Sequence, residues 1–165
     1  MISRFGVKVK TLIVYYSRTG KTRMVAHKLS SMLGCDIEEI TDKEDRSGPI
    51  GFLRSGRQAR DKELIDINDL SKDPASYDMI IIGTPVWAWT MASPVRSFIH
   101  KYRDRFNKVA IFCTCGSVGA DSAMSEIEVL SGKKALSFLG LKNAELKEDL
   151  CGQKLKGFVE EIKNK

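Results

Sequence analysis

The chain has 165 residues, 42% hydrophobic and 29% charged, with a formal net charge of +6. One sizeable core fits that length, so residues 1–165 are expected to form a single domain. No apolar run approaches the roughly 18 to 20 residues of a membrane helix, which excludes a helical membrane span, and the positive charge admits phosphates, nucleic acid or an acidic partner without choosing among them.

The opening decapeptide MISRFGVKVK carries charges and lacks a continuous apolar region followed by a small-residue cleavage site. No signal peptide is expected, and a cytoplasmic location follows as an expectation. TLIVYYS, Thr11 to Ser17, is a β-branched and aromatic run that reads as a strand. Val25, Leu29, Met32 and Leu33 then recur at helical spacing, Gly34 stops the helix, and DIEEI, Asp36 to Ile40, reads as a short strand.

The segment from Thr41 to Glu63 is charged and punctuated by Gly48, Pro49 and Gly51, so it is expected to be a surface loop with one or two helical turns. DMIIIGTP, Asp78 to Pro85, reads as a buried strand ending in a turn. Ser93-Pro94 reads as a helix cap followed by proline, with a helix to about Lys101. KVAIFCTC, Lys108 to Cys115, is a further buried strand, and Ala123 to Leu139 gives a helical pattern that Gly132 interrupts. Lys142 to Lys147 is expected to be a fifth, weaker strand before a terminal helix from about Gln153 to Lys163. Five strands alternating with helices imply a parallel sheet covered on both faces.

The four cysteines, Cys35, Cys113, Cys115 and Cys151, form no CxxC and have no histidine at ligand spacing, so no metal site is expected. Cys113 and Cys115 share one face of their strand, either as small buried residues or with a redox role for Cys115. His27, His100, Glu126 and Glu128 read as surface or packing residues. No nucleophile and base pair calls for hydrolysis.

Ligands of open α/β sheets bind beyond the carboxyl ends of the strands. Here those places are SRTGKT, TPVWAW and CGSVGAD, which should converge. SRTGKT, Ser17 to Thr22, offers backbone N–H groups at a helix start together with the hydroxyls of Ser17, Thr19 and Thr22. That chemistry suits a phosphate, and it equally suits plain helix capping with Gly20 relieving the turn. Gly20-Lys21-Thr22 matches the end of an ATP phosphate loop, but the first glycine of that motif falls on Tyr15, inside the strand. No aspartate ends the strands at Met79 to Ile82 or Val109 to Phe112 to hold magnesium, and no G-x-G-x-x-G fingerprint is present.

An apolar strand ending in YSRTGKT resembles the flavodoxin family, whose corresponding loop holds the terminal phosphate of FMN. GTPVWAWTMASPVRSF, Gly83 to Phe98, is similar to that family's second FMN loop, and TCGSVGAD, Thr114 to Asp121, takes the place of the third. The resemblance implies a flavodoxin-like three-layer α/β sandwich with a five-stranded parallel sheet in the order 2-1-3-4-5. It assigns FMN to Ser17, Arg18, Thr19, Gly20, Lys21 and Thr22 in the first loop. Thr84, Pro85, Val86, Trp87 and Ala88 follow in the second, with Trp87 the better stacking residue and Trp89 turned into protein or toward a partner. Thr114, Cys115, Gly116, Ser117 and Gly119 complete the set in the third, where glycine permits close backbone approach.

Two departures from the family pattern bear on function. GSVGAD lacks the aromatic residue that flavodoxin electron carriers commonly place there, which leaves one flavin face open to substrate, to a neighbouring subunit or to the 41–63 segment. The charge is positive where those carriers are acidic, and Arg46, Arg54, Arg57 and Arg60 form either a solvated basic face or a site for an anionic donor such as NADPH. Together these favour a reductase passing electrons from NAD(P)H to a quinone or other small acceptor over a carrier serving a redox partner protein. The resemblance also raises a homodimer covering part of the cofactor. A basic binding module on the same fold is the remaining alternative, and the lack of a basic patch interleaved with aromatics argues against nucleic acid.

Overall fold

The computed structural model describes residues 9–147 and 149–165; residues 1–8, which carry most of the opening decapeptide, lie outside the described part. Strand β1 (Thr11–Tyr15) runs into helix α1 (Lys21–Leu33), and β2 (Asp36–Glu39) and α2 (Gly48–Arg60) follow. Next come β3 (Met79–Trp87), the two-residue β4 (Thr90–Met91) and α3 (Ser93–Tyr102). The chain continues through β5 (Lys108–Cys115), α4 (Ala120–Ser131), β6 (Ala135–Lys142) and α5 (Asp149–Lys163).

The parallel strands lie in the order β2-β1-β3-β5-β6, and β4 pairs antiparallel with the end of β3. The five parallel strands therefore follow the expected order, and the small added β4 only shifts their labels. β1, β3 and β5 are near-continuous apolar runs because both of their faces are covered. Leu12, Val14, Ile80, Ile82 and Ile111 pack with Val95, Phe98 and Ile99 of α3 and Ile127 of α4. Ile13, Met79, Ile81 and Phe112 pack on the other face with Val25 and Leu29 of α1 and Leu155 and Phe158 of α5. At the centre an added Cβ on Gly83 would stand 2.2 Å from the Phe112 ring, so only glycine lets β3 and β5 close at that point.

Four expectations are corrected. The 41–63 segment carries a full helix, α2, with Pro49 in its first turn; its buried residues are Gly51, Ser55, Gln58 and Ala59. A helix that buries small and polar groups gives no hydrophobic period to read. The expected helix from Ala123 to Leu139 ends at Gly132, which takes a left-handed φ of 66°, and Ala135–Lys142 forms strand β6. Ser137, Leu139 and Leu141 are the buried residues of that edge strand, a period of two that overlaps a helical pattern over so short a span. Consequently Glu145–Lys147 is one turn of 3-10 helix, not a strand. At α3, Ala92 occupies the cap position, and Ser93 begins the helix.

Candidate functional site

Strand order reverses between β1 and β3, and the loops after β1, β3 and β5 meet at the carboxyl edge there. In the first loop Gly20 caps α1 at φ 85°, a left-handed conformation, and no side chain caps the helix. The hydroxyl of Ser17 is buried and has no hydrogen-bond partner. Helix capping by Ser17 or Thr19 therefore does not occur, and the loop keeps a buried donor and a free helix start for a ligand. Lys21 is exposed, whereas Thr22 is buried with its Oγ1 2.8 Å from Oγ1 of Thr114. Arg18 turns away from the helix start: its guanidinium donates to the carbonyls of Arg46 at 2.8 Å and Gly48 at 3.1 Å.

The second loop is a hairpin, not an open turn. Val86 pairs with Met91 and Trp87 with Thr90, leaving Ala88 and Trp89 as a two-residue turn with φ of 47° and 62°. Both are left-handed, as a type I′ turn requires, and neither is the glycine or asparagine that adopts this conformation freely. The strained turn is held from below. Thr90 donates to the Glu126 carboxylate of α4, Arg96 of α3 donates to the same carboxylate at 3.0 Å, and Lys62 pairs with it at 2.8 Å. Burial works against ionisation of Glu126, but the hydrogen bonds from Arg96, Lys62 and Thr90 hold its pKa down at about 2. Glu126, which reads in sequence as helix surface, thus anchors the hairpin. Nothing in its local sequence signals this, because its partners come from three other segments.

Thr84 is fully buried at the base of the hairpin, where its Oγ1 accepts from the Ala92 N–H at 3.1 Å. Trp87 is half-buried, with Tyr16 edge-on at 5.5 Å and the Arg46 guanidinium 5.6 Å from its ring. Pro85 pairs in register with Thr114, joining the second and third loops at their roots.

The third loop leaves Gly116, Ser117 and Val118 exposed and starts α4 at Gly119 with φ 96°. An added Cβ on Gly119 would stand 2.9 Å from Val86 and 3.0 Å from Trp89, so this glycine is needed for the two loops to touch. The structure thereby brings Trp89, 67% exposed, against the third loop. Cys113 and Cys115 are both buried, and burial pushes both thiols up from their ordinary pKa. Neither is held as a thiolate.

Of the arginines, Arg46 is buried, paired with Asp42 at 2.6 Å and Glu44 at 3.4 Å. Its guanidinium also donates to Ser55 at 3.1 Å and Gln58 at 2.8 Å, so α2 packs on a charged group. Arg54 reaches Glu44, Arg57 reaches Glu63, and Arg60 pairs with Asp61. Every arginine of the expected basic cluster has an acidic neighbour, and the cluster loses most of its attraction for an anionic donor. Between the first loop and this segment lies a cleft of 370 Å³ lined in part by Tyr16, Ser17, Thr19 and Ser47. Burial and the Asp42 charge push the Tyr16 phenol to about 12, so it stays neutral there.

A doubly covered parallel sheet whose three loops converge at the β1/β3 reversal defines the flavodoxin-like architecture. The family model described as Flavodoxin matches residues 10–162, and the chain belongs to the flavodoxin family. Among solved structures, it is similar to a Lactobacillus acidophilus flavoprotein in complex with FMN, at 25% identity and a TM-score of 0.70 over 84% of this chain and 97% of that one. A candidate flavoprotein from Bacteroides uniformis shares 23% identity at a TM-score of 0.77, covering 92% and 98% of the two chains. Flavodoxin 1 of Bacillus cereus shares the fold at 16% identity and a TM-score of 0.53, covering 93% and 97%. No curated protein sequence matches the chain significantly.

Proposed function

We propose that this chain binds FMN at the three converging loops and transfers electrons through it. The observation that carries this reading is the buried, unpartnered Ser17 hydroxyl beside the start of α1, which no side chain caps. A flavin phosphate would satisfy that hydroxyl and the free N–H groups together, with Thr19, Gly20, Lys21 and Thr22 around it. The residues present also suit the ring: Thr84, Pro85, Val86, Trp87 and Ala88 offer apolar surface and backbone polar groups. In the third loop Gly116 and Ser117 offer an open backbone for the polar pyrimidine edge, flanked by Thr114, Cys115 and Gly119. In this reading Arg18 supports the loop through Arg46 and Gly48 and does not touch the phosphate itself.

FMN, when bound, supplies the hydride- and electron-accepting chemistry, and the chain binds, orients and partly shields it. The open third loop favours a reductase that takes electrons from NAD(P)H and passes them to a quinone or other small acceptor. Exposed Val118 on that loop and Trp89 beside it, with Ile50, Phe52 and Leu53 on α2, favour the second reading, a carrier docking on a redox partner protein.

The test is titration of the ligand-free protein with FMN and with riboflavin, followed by turnover of the loaded protein with NADH or NADPH and a quinone. Tight binding of FMN over riboflavin with turnover supports the reductase. Binding without turnover for any donor and acceptor leaves the carrier, and binding of neither flavin rejects the cofactor assignment.

A further inference from the structure

The first loop also borders a second cleft of 630 Å³, which Gly20 and Lys21 of the loop help to line. An added Cβ on Gly20 would have no heavy atom within 4 Å, so the space beside that residue is open. The cleft is of the size that holds a small organic ligand. One wall is apolar, formed by the half-buried Met24 of α1 and by Leu146. The other carries Asn143 and Lys147.

Asn143 is fixed by its backbone N–H, which donates to the Cys115 carbonyl at 2.9 Å, while its side-chain amide makes no hydrogen bond among the described residues. The neighbouring acid, Glu145, is paired with Lys154 at 2.8 Å and accepts from the Lys142 N–H, so it does not cancel the two exposed lysines. An apolar platform, a free carboxamide and two cations beside a phosphate-holding loop match a phosphorylated purine nucleoside. Asparagine pairs with the adenine edge through both of its amide atoms, thioethers favour aromatic rings, and lysine serves as a point charge for phosphate.

Building on the flavin reading above, we propose that this cleft is an adenylate subsite continuous with the flavin-phosphate loop, so that the chain accepts FAD as well as FMN. The second phosphate belongs to Lys21 and Lys147, and the adenine to Met24, Leu146 and Asn143. A free adenine nucleotide offers the same chemistry, and the experiment separates the two sources.

Ligand-free protein is titrated calorimetrically with FMN, FAD and riboflavin, and FMN-loaded protein with 5′-AMP. Two variants at accessible positions, Met24→Glu and Lys147→Glu, are carried alongside, with circular dichroism as the check on folding. FAD is expected to bind at least as tightly as FMN. Lys147→Glu is expected to weaken FAD about tenfold, the size of one lost charge-assisted contact, Met24→Glu by about the same factor through the lost apolar surface under the adenine, and both to leave FMN within about twofold. AMP binding to the FMN-loaded chain, with FAD more than about tenfold weaker than FMN, overturns the FAD assignment and makes free nucleotide the source. FMN binding with weak FAD, no AMP binding and no selective effect of either folded variant overturns the subsite and leaves the flavin reading standing. Failure of all three flavins overturns both.

Discussion

Oγ1 of Thr22, in the first turn of α1, and Oγ1 of Thr114, near the end of β5, lie 2.8 Å apart in a buried contact spanning 92 residues of sequence. This hydrogen bond fixes the end of the first loop, where α1 begins, against the root of the third loop. Because each hydroxyl is the other's buried partner, removing one leaves a desolvated polar group. Thr22→Val and Thr114→Val are each expected to cost about 1 to 2 kcal/mol, and the double variant less than the sum. Urea denaturation of the three variants checks this; strict additivity would show that the hydroxyls do not act as a pair.

Ser17 presents the opposite case, a buried hydroxyl with no partner in the ligand-free fold. Ser17→Ala is expected to stabilise the ligand-free protein by up to about 1 kcal/mol, because an unsatisfied buried group is removed. The same change should weaken FMN about tenfold while leaving riboflavin unaffected. Thermal unfolding and flavin titration read the two effects separately, and equal loss for both flavins would remove Ser17 from the phosphate site.

The carboxylate of Glu126 gives stability a defined acid dependence. Its pKa in the fold is about 2, below its ordinary 4.5, so the unfolded chain takes up the proton first as pH falls. The contribution is fully present above pH 4.5 and is lost as the pH falls through about 2. Glu126→Gln should flatten that part of the stability profile and cost about 2 kcal/mol at neutral pH, less than for a fully enclosed pair, by leaving Arg96 without its counter-charge. Acid titration of unfolding in both proteins is the measurement, and identical slopes would remove Glu126 from the pH response.

Ala88 holds a left-handed φ of 47° in the hairpin turn. Ala88→Gly relieves that conformation and is expected to raise folding stability by about 1 kcal/mol. Differential scanning calorimetry should show the increase. A loss of stability would mean that the turn carries no strain to relieve.

Much of this protein was legible before any coordinates. The apolar strands at Thr11, Met79 and Lys108 announce themselves because a strand covered on both faces is hydrophobic throughout. Loops at their carboxyl ends follow from topology, and the resemblance of YSRTGKT to flavodoxins marks the loop proposed for the phosphate. Helix α2 and strand β6 are not legible in the sequence, because the local pattern there is silent or ambiguous. α2 buries Ser55 and Gln58 against a guanidinium, and β6 is an edge strand covered on one face.

By itself the sequence determined β1, β2, β3 and β5 and the three loops, since periodicity and glycine placement are local properties of the chain, while the strand order is what the resemblance to flavodoxins implies. Tertiary structure alone decided which side chains those loops present. It turned Arg18 onto the backbone of Arg46 and Gly48, left Ser17 without a partner, and strained Ala88 and Trp89 into a tight hairpin over Glu126. Each outcome depends on groups far apart in sequence meeting at one edge of the sheet. Hydrogen bonds and charge pairs of that kind leave no periodic trace, because their geometry exists only after the layers have packed.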